Sequence, residues 1–120
     1  MNNNSETYSD VTILFADICG FTAYSAGKAG RQVVEMLSKL FTEFDIECNR
    51  LNLFKLYTIG DCYVVMGFLD KRNRKSPAEE ANDVVQLGIS MISIIEKVRK
   101  MVKFDQLNMR IGIHTVTISN

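Results

Sequence analysis

Val11–Thr22, VTILFADICGFT, constrains the fold more than any other stretch of the chain. Its Val, Thr, Ile, Leu and Phe, bounded by Asp10 and Gly20, read as a buried strand. The strand ends in one carboxylate, Asp17. Burying a lone Asp is costly unless something compensates it, and a metal ion is the usual partner. Cys19–Thr22 then turns through Gly20 toward a helix, where backbone N–H groups can hold phosphate.

The rest of the chain is consistent with one ordinary globular domain. Its 120 residues are 47% hydrophobic and 23% charged, enough to bury a core. Fourteen basic residues balance fourteen acidic ones, so charge makes no case for a nucleic-acid partner. The one basic cluster, Lys71–Lys75, reads as a solvated loop whose neutralisation leaves the fold intact. Cys19, Cys48 and Cys62 show no CxxC or zinc spacing and read as reduced thiols in a cytoplasmic setting. No apolar run approaches the ~20 residues of a membrane span, and MNNNSETYSD lacks an apolar signal core. The chain can still be the cytosolic part of a larger membrane protein.

Residues 1–9 read as a disordered lead-in or linker. Asp10–Ile18 is the first strand, and Gly20–Gly30 a short helix or turn with a loop. Arg31–Leu51 has the helical spacing of a packed stripe through Val33, Val34, Leu37, Leu40, Phe41, Phe44, Cys48 and Leu51. Leu53–Ile59 and Cys62–Phe68 read as strands joined by a Gly60-Asp61 hairpin turn. Ser76-Pro77-Ala78-Glu79 reads as a capping box with Pro in the first helical position. That helix runs to about Met101, with Val84, Val85, Gly88, Met91, Ile92, Ile95, Val98 and Val102 on one face. Met109–Ile118 alternates as a strand. The order predicts an α+β, ferredoxin-like β-α-β-β-α-β fold, a four-stranded antiparallel sheet with helices on one face.

In such a sheet the first strand neighbours the third, so Asp17 and Asp61 can converge at one end. Two carboxylates and a backbone carbonyl, with Ile18 the candidate, suit a hard cation such as Mg²⁺. From the residues alone a second reading stays open: Asp61 as a turn former and Asp17 as a helix cap.

FADICGFT at 15–22, KLYTIGDCYVV at 55–65 and LNMRIGIHT at 107–115 resemble, in order and separation, the class III nucleotide cyclase catalytic domain. The resemblance runs from about Asp10 to Thr115. GDCY at 60–63 and NMRIGIH at 108–114 resemble most the first, metal-binding catalytic half of paired membrane adenylyl cyclases. Guanylyl cyclases and paired protist cyclases are similar too. The resemblance implies that Asp17, Asp61 and the Ile18 carbonyl bind two Mg²⁺ or Mn²⁺ ions. It implies that Gly20, Phe21 and Thr22 hold the triphosphate of GTP or ATP, with Arg110 on the terminal phosphates. His114, the single histidine, falls on a position read as structural. The implied reaction is 3′-hydroxyl attack on the α-phosphorus with loss of pyrophosphate, in a site formed with a second cyclase domain as homo- or heterodimer.

The chain departs from the family in three places. The family domain continues beyond Thr115 and there supplies a purine-contacting Asp or Cys, and an Asn and an Arg for the transition state. None of these is identifiable here, and no catalytic residue beyond the metal ligands is. The Gly that usually follows the His-Thr pair is Val116. The base-selecting position, usually Lys for adenine or Glu for guanine, is Tyr57, which supplies neither charge. Residues 10–120 are therefore expected to be the N-terminal part of a cyclase domain that supplies the metal and phosphate site and is insufficient alone. The alternative is an inactive cyclase-like module that dimerises with or regulates a partner.

Overall fold

The computed structural model describes residues 7–68, 72 and 74–119. Four strands and two long helices alternate as the sequence predicts: β1 (Thr7–Cys19), α2 (Gly30–Arg50), β2 (Phe54–Ile59), β3 (Cys62–Met66), α3 (Pro77–Val102) and β4 (Asn108–Ser119). A five-residue helix, α1 (Phe21–Ser25), follows β1. The sheet order is β2-β3-β1-β4 and each neighbouring pair is antiparallel. This is the expected ferredoxin-like arrangement, with β1 in the interior between β3 and β4.

Alternation along β1 sorts the sheet into two faces. Leu14, Ala16 and Ile18 are buried and join Tyr63 and Val65 of β3 in a core with both long helices. From α2 come Met36, Leu40, Phe44 and Cys48; from α3 come Val84, Leu87, Met91, Ile94, Ile95 and Val98. Tyr63 is the keystone of the α2 side. Its ring meets Phe44 edge-on at 5.3 Å, and its hydroxyl donates to Asp45 Oδ1 at 2.5 Å. Burial and that hydrogen bond hold its phenol neutral, well above the usual tyrosine range. No buried side-chain N or O among the described residues lacks a partner.

Ser76 caps α3 as predicted: Glu79 N donates to Ser76 Oγ at 3.2 Å, and Ser76 N donates to Glu79 Oε1 at 3.2 Å. The apolar face of α3 is rotated from the predicted one. Val85 and Ile92 are exposed, while Leu87, Ile94 and Glu80 are buried. Val34 of α2 is likewise exposed. Both packed faces are displaced from the predicted stripes, α2 burying Met36 in addition, because apolar residues flanking the packed face satisfy the same periodicity as those within it.

Two further expectations change. Residues 1–6 lie outside the described residues, but Thr7, Tyr8 and Ser9 belong to β1 rather than to a lead-in. Thr7 pairs with Ser119 and Tyr8 with Ile118, past a register shift that separates Tyr8 from Val11. Lys71 and Asn73 also lie outside the described residues. Arg74 and Lys75, however, are not solvated loop cations. Arg74 Nε pairs with the fully buried Glu80 at 2.9 Å, and Lys75 Nζ reaches Asp83 Oδ2 at 2.5 Å and the Leu51 carbonyl at 3.1 Å. A buried carboxylate needs a paired cation, and the sequence does not reveal that Glu80 is the buried member of the acidic first turn of α3. Among the described residues no helix is long and apolar enough to cross a membrane.

Candidate functional site

The site forms where β1 runs out of its sheet. Asp17 lies opposite Cys62 on β3 and opposite Arg110 on β4. Residues paired across a ladder share a face, so all three side chains lie on the face away from the helices. Ile59 and Cys62 close the hairpin ladder, leaving Gly60-Asp61 as a two-residue turn with Gly60 at φ +56°. That turn sets Asp61 beside the end of β1, as the neighbouring of first and third strands requires. The structure thus brings the two carboxylates to one place. Cys62, between them, registers both: its thiol is pushed up first by burial, then by the charges of Asp17 and Asp61.

Gly20 controls the turn that follows. Its φ is +78°, in the left-handed region. A Cβ there would stand 2.5 Å from the Gln106 carbonyl oxygen. Only glycine meets both conditions. The chain then enters α1, with Tyr24 N donating to the Gly20 carbonyl at 2.8 Å. The amides of a helix's first turn have no acceptor within the helix. Here they belong to Phe21, Thr22 and Ala23. Tyr24 anchors α1 from below, buried and edge-on to Phe104 at 5.4 Å.

Asp17, Ile18, Cys19, Gly20, Phe21, Thr22, Ala23, Asp61 and Arg110 line one open concavity of about 470 Å³. Every residue predicted for metal or phosphate is among them. Ile18 has its side chain in the core, so it faces the concavity through its main chain. Ala23 is an addition to the predicted set, and Cys19 belongs to the Cys19–Thr22 stretch already read as able to hold phosphate through its main chain. They follow from the spacing, since they flank the turn on either side. An ion pair is the other addition: Arg110 Nη2 donates to Asp17 Oδ2 at 2.9 Å. The signal for it was present, because antiparallel β1 and β4 set DIC against NMR, but the register of two strands so far apart in the chain cannot be counted from sequence.

Tyr57 and His114 are not brought into the concavity. Tyr57 pairs with Val64, one row along the sheet from the carboxylates, and is 46% exposed. His114 pairs with Ile13, and its ring stands edge-on to Phe15 at 6.4 Å.

Among the described residues no group of three or more His, Cys, Asp or Glu gathers as a metal cage. Beside the lone Cys19 thiol, the donors in the concavity are two carboxylates and a main-chain carbonyl, all oxygen. That set does not suit zinc, which takes four protein ligands of nitrogen and sulfur type in structural sites. It does fit Mg²⁺ or Mn²⁺, which bind through one or two carboxylates and keep their remaining positions for water and phosphate.

Comparison with known proteins identifies relatives in sequence and in fold. Guanylate cyclase alpha of Plasmodium falciparum (isolate 3D7) is 40% identical over 110 residues, covering 90% of this chain and 3% of that protein. Atrial natriuretic peptide receptor 2 of Homo sapiens is 38% identical over 112 residues, covering 92% of this chain and 10% of the receptor. The chain therefore spans a small part of the curated relatives it matches. The adenylyl cyclase CyaB from P. aeruginosa shares the fold with a TM-score of 0.84 at 21% identity, over 96% of this chain and 59% of that one. The guanylate cyclase domain of RhGC from Catenaria anguillulae, solved in complex with GTP, has a TM-score of 0.77 at 25% identity, over 93% of this chain and 59% of that one. The sequence profile described as Adenylate and Guanylate cyclase catalytic domain matches residues 3–119, and the chain belongs to that family.

Proposed function

We propose that this chain is the metal- and triphosphate-binding part of a nucleotide cyclase domain that converts GTP or ATP to the 3′,5′-cyclic nucleotide and pyrophosphate within a dimer, for signalling inside the cell. The observation that carries this reading is the convergence of Asp17, Asp61, the Gly20–Thr22 turn and Arg110 in one concavity. Asp17, Asp61 and the Ile18 carbonyl would hold two Mg²⁺ or Mn²⁺ ions. Such ions, when bound, supply charge neutralisation at phosphate and ease loss of the proton from a hydroxyl. The chain's own groups do the positioning. The first-turn amides at Phe21 and Thr22 and the Thr22 hydroxyl donate to phosphate oxygens. Arg110 offsets the charge that builds on the departing pyrophosphate. The 3′-oxygen bonds to the α-phosphorus as the bond from that phosphorus to the bridging oxygen breaks. The hydroxyl proton passes to solvent and pyrophosphate leaves with the bonding pair.

The sheet face that carries Asp17 supports a second cyclase domain as partner. Neither long helix covers it, and Phe15 and Tyr57 stand 42% and 46% exposed there beside Ile13, Val64 and Met66. An apolar patch rimmed by charge is the form of a protein interface. Tyr57 also favours a division of labour: it cannot charge-match a purine edge, so the partner would choose the base and this chain would be insufficient alone. The relatives named above as guanylate cyclases make GTP the first substrate to test. The second reading, an inactive module that dimerises with or regulates a partner, is favoured by the same Tyr57.

Thermal unfolding with Mn²⁺ and a non-cyclising GTP or ATP analogue separates the two. The cyclase reading expects stabilisation of about 2.7 kcal/mol at a hundredfold excess over Kd, lost in Asp61→Asn. The inactive-module reading expects no shift and no effect of Asp61→Asn. Cyclic nucleotide made at a robust rate by the 120-residue chain alone, and abolished by Asp17→Asn, would overturn the claim of insufficiency.

A further inference from the structure

The cation already present beside Asp17 has a consequence for how the site fills. Arg110 is the one basic residue lining the concavity among the described residues. Its side chain is 73% exposed, yet its guanidinium is turned onto the Asp17 carboxylate, 2.9 Å away and opposite it in the β1–β4 ladder. Asp61 stands on the other side of the same row, beside Cys62. Two carboxylates at one strand end repel, and a cation between sheet and solvent relieves that repulsion.

We infer that Arg110 is a stand-in cation that occupies Asp17 until a phosphate chain draws it away, so that divalent ion and triphosphate are admitted together and neither is held well alone. The inference rests on the reading of Asp17 and Asp61 as metal ligands. Four features carry it. The carboxylate oxygen that Arg110 engages belongs to a residue a metal would use, and a guanidinium and a dication cannot share it without repulsion. The pair is exposed, so it is weak enough to be broken by a better partner. Phosphate is that better partner, because a guanidinium binds a triphosphate oxygen with more opposing charge than one carboxylate offers. The stalk is long enough to swing, since the largely exposed Arg110 side chain is held at its head by the Asp17 pair and otherwise by its backbone in β4. Arg110 is therefore a positioning residue with two stations.

The test is Mn²⁺ binding to the nucleotide-free 120-residue chain, read as loss of the free-ion signal in electron paramagnetic resonance. Arg110→Gln should bind Mn²⁺ about three- to tenfold more tightly than the parent, the range expected from losing a weak competing ion pair and a nearby positive charge. Arg110→Lys, which keeps the charge on a shorter head, should fall between the two. Adding inorganic triphosphate should tighten Mn²⁺ binding more in the parent than in Arg110→Gln. Unchanged or weaker Mn²⁺ binding in Arg110→Gln, with Asp17→Asn abolishing it, overturns the stand-in role and leaves the metal site in place. Mn²⁺ binding that survives Asp17→Asn overturns the metal site itself, and the inference with it. Matching circular dichroism spectra confirm that each variant is folded.

Discussion

Replacing Arg74 with Ala would test the energetics of the fold at its most charged buried point. Glu80 is fully buried, and Arg74, 16% exposed, makes contacts of 2.9 and 3.1 Å to its two oxygens. The same guanidinium donates to the Asp10 carbonyl at 2.8 Å and lies over the Phe68 ring at 4.6 Å. One side chain therefore joins the start of α3, the end of the β3 region and the irregular point of β1. Removing one partner of a buried pair costs roughly 3–5 kcal/mol, because a charge is left uncompensated. Arg74 keeps some contact with solvent, so its removal admits water to Glu80 and the lower end, about 3 kcal/mol, is expected. For a domain of this size that lowers Tm by about 10 °C. Urea unfolding of the parent, Arg74→Ala and Arg74→Ala with Glu80→Met gives the answer. The double variant should recover most of the loss, because a Met of similar volume needs no partner. A loss below about 1 kcal/mol in Arg74→Ala, or no recovery in the double variant, would refute the argument that a stranded charge sets the cost.

Three other perturbations read separate parts of the structure. Gly20→Ala should destabilise by more than about 2 kcal/mol, whereas Gly27→Ala, with a similar φ of +77° but nothing within 4 Å of its Cβ, should cost about 1 kcal/mol; equal costs in urea unfolding would show that the Gln106 approach is not limiting. Iodoacetamide mapping by mass spectrometry should find Cys48 the slowest thiol to alkylate, since it is buried and burial, its largest influence, pushes its thiol up. Glu47 is held below the usual carboxylate range, chiefly by Arg50, with Ser90 adding to that against the opposing effect of burial. A depressed folded-state pKa gives stability present above about 4.5, the ordinary value, and lost as pH falls through the depressed one. Glu47→Gln should therefore narrow its gap from the parent as pH drops from 6 toward 3 in a denaturation series (~3 units); a gap that widens would contradict the sign.

The site was more legible than the packing, for a physical reason. Asp17, Gly20, Thr22 and Asp61 lie at strand ends and turns, and there backbone geometry follows from residue type: an apolar run stops, a glycine reverses the chain, a Gly-Asp pair closes a hairpin. Given strand order, their convergence needs no side-chain detail. The faces of α2 and α3 were less legible because periodicity sets a direction only to within a residue's width. Val34, Val85 and Ile92 fit the helical pattern and still point to solvent. Glu80 shows the converse limit. It reads as an ordinary first-turn acid, favourable near a helix N-terminus, and only the loop carrying Arg74 makes its burial tolerable.

Register was the quantity the sequence withheld, and it decides the chemistry of the concavity. β1 and β4 keep one unbroken register from Val11 opposite Val116 to Cys19 opposite Asn108, and the shift lies beyond it, between Tyr8 and Val11, where Asp10 adopts φ +55° and Arg74 clasps its carbonyl. A slip of one residue would bring Met109 or Ile111 opposite Asp17 and turn Arg110 into the helix-side core, since side chains alternate with period two. The 2.9 Å contact between Thr12 Oγ1, on a buried residue of β1, and Thr115 Oγ1 of β4 pins that register from farther along the strand. The cation beside Asp17 is thus fixed by contacts several residues away along β1. A variant that loosens the far end, such as Arg74→Ala, should disturb Mn²⁺ binding at Asp17 only where it also unfolds the chain, because register changes in whole-residue steps and not by degrees.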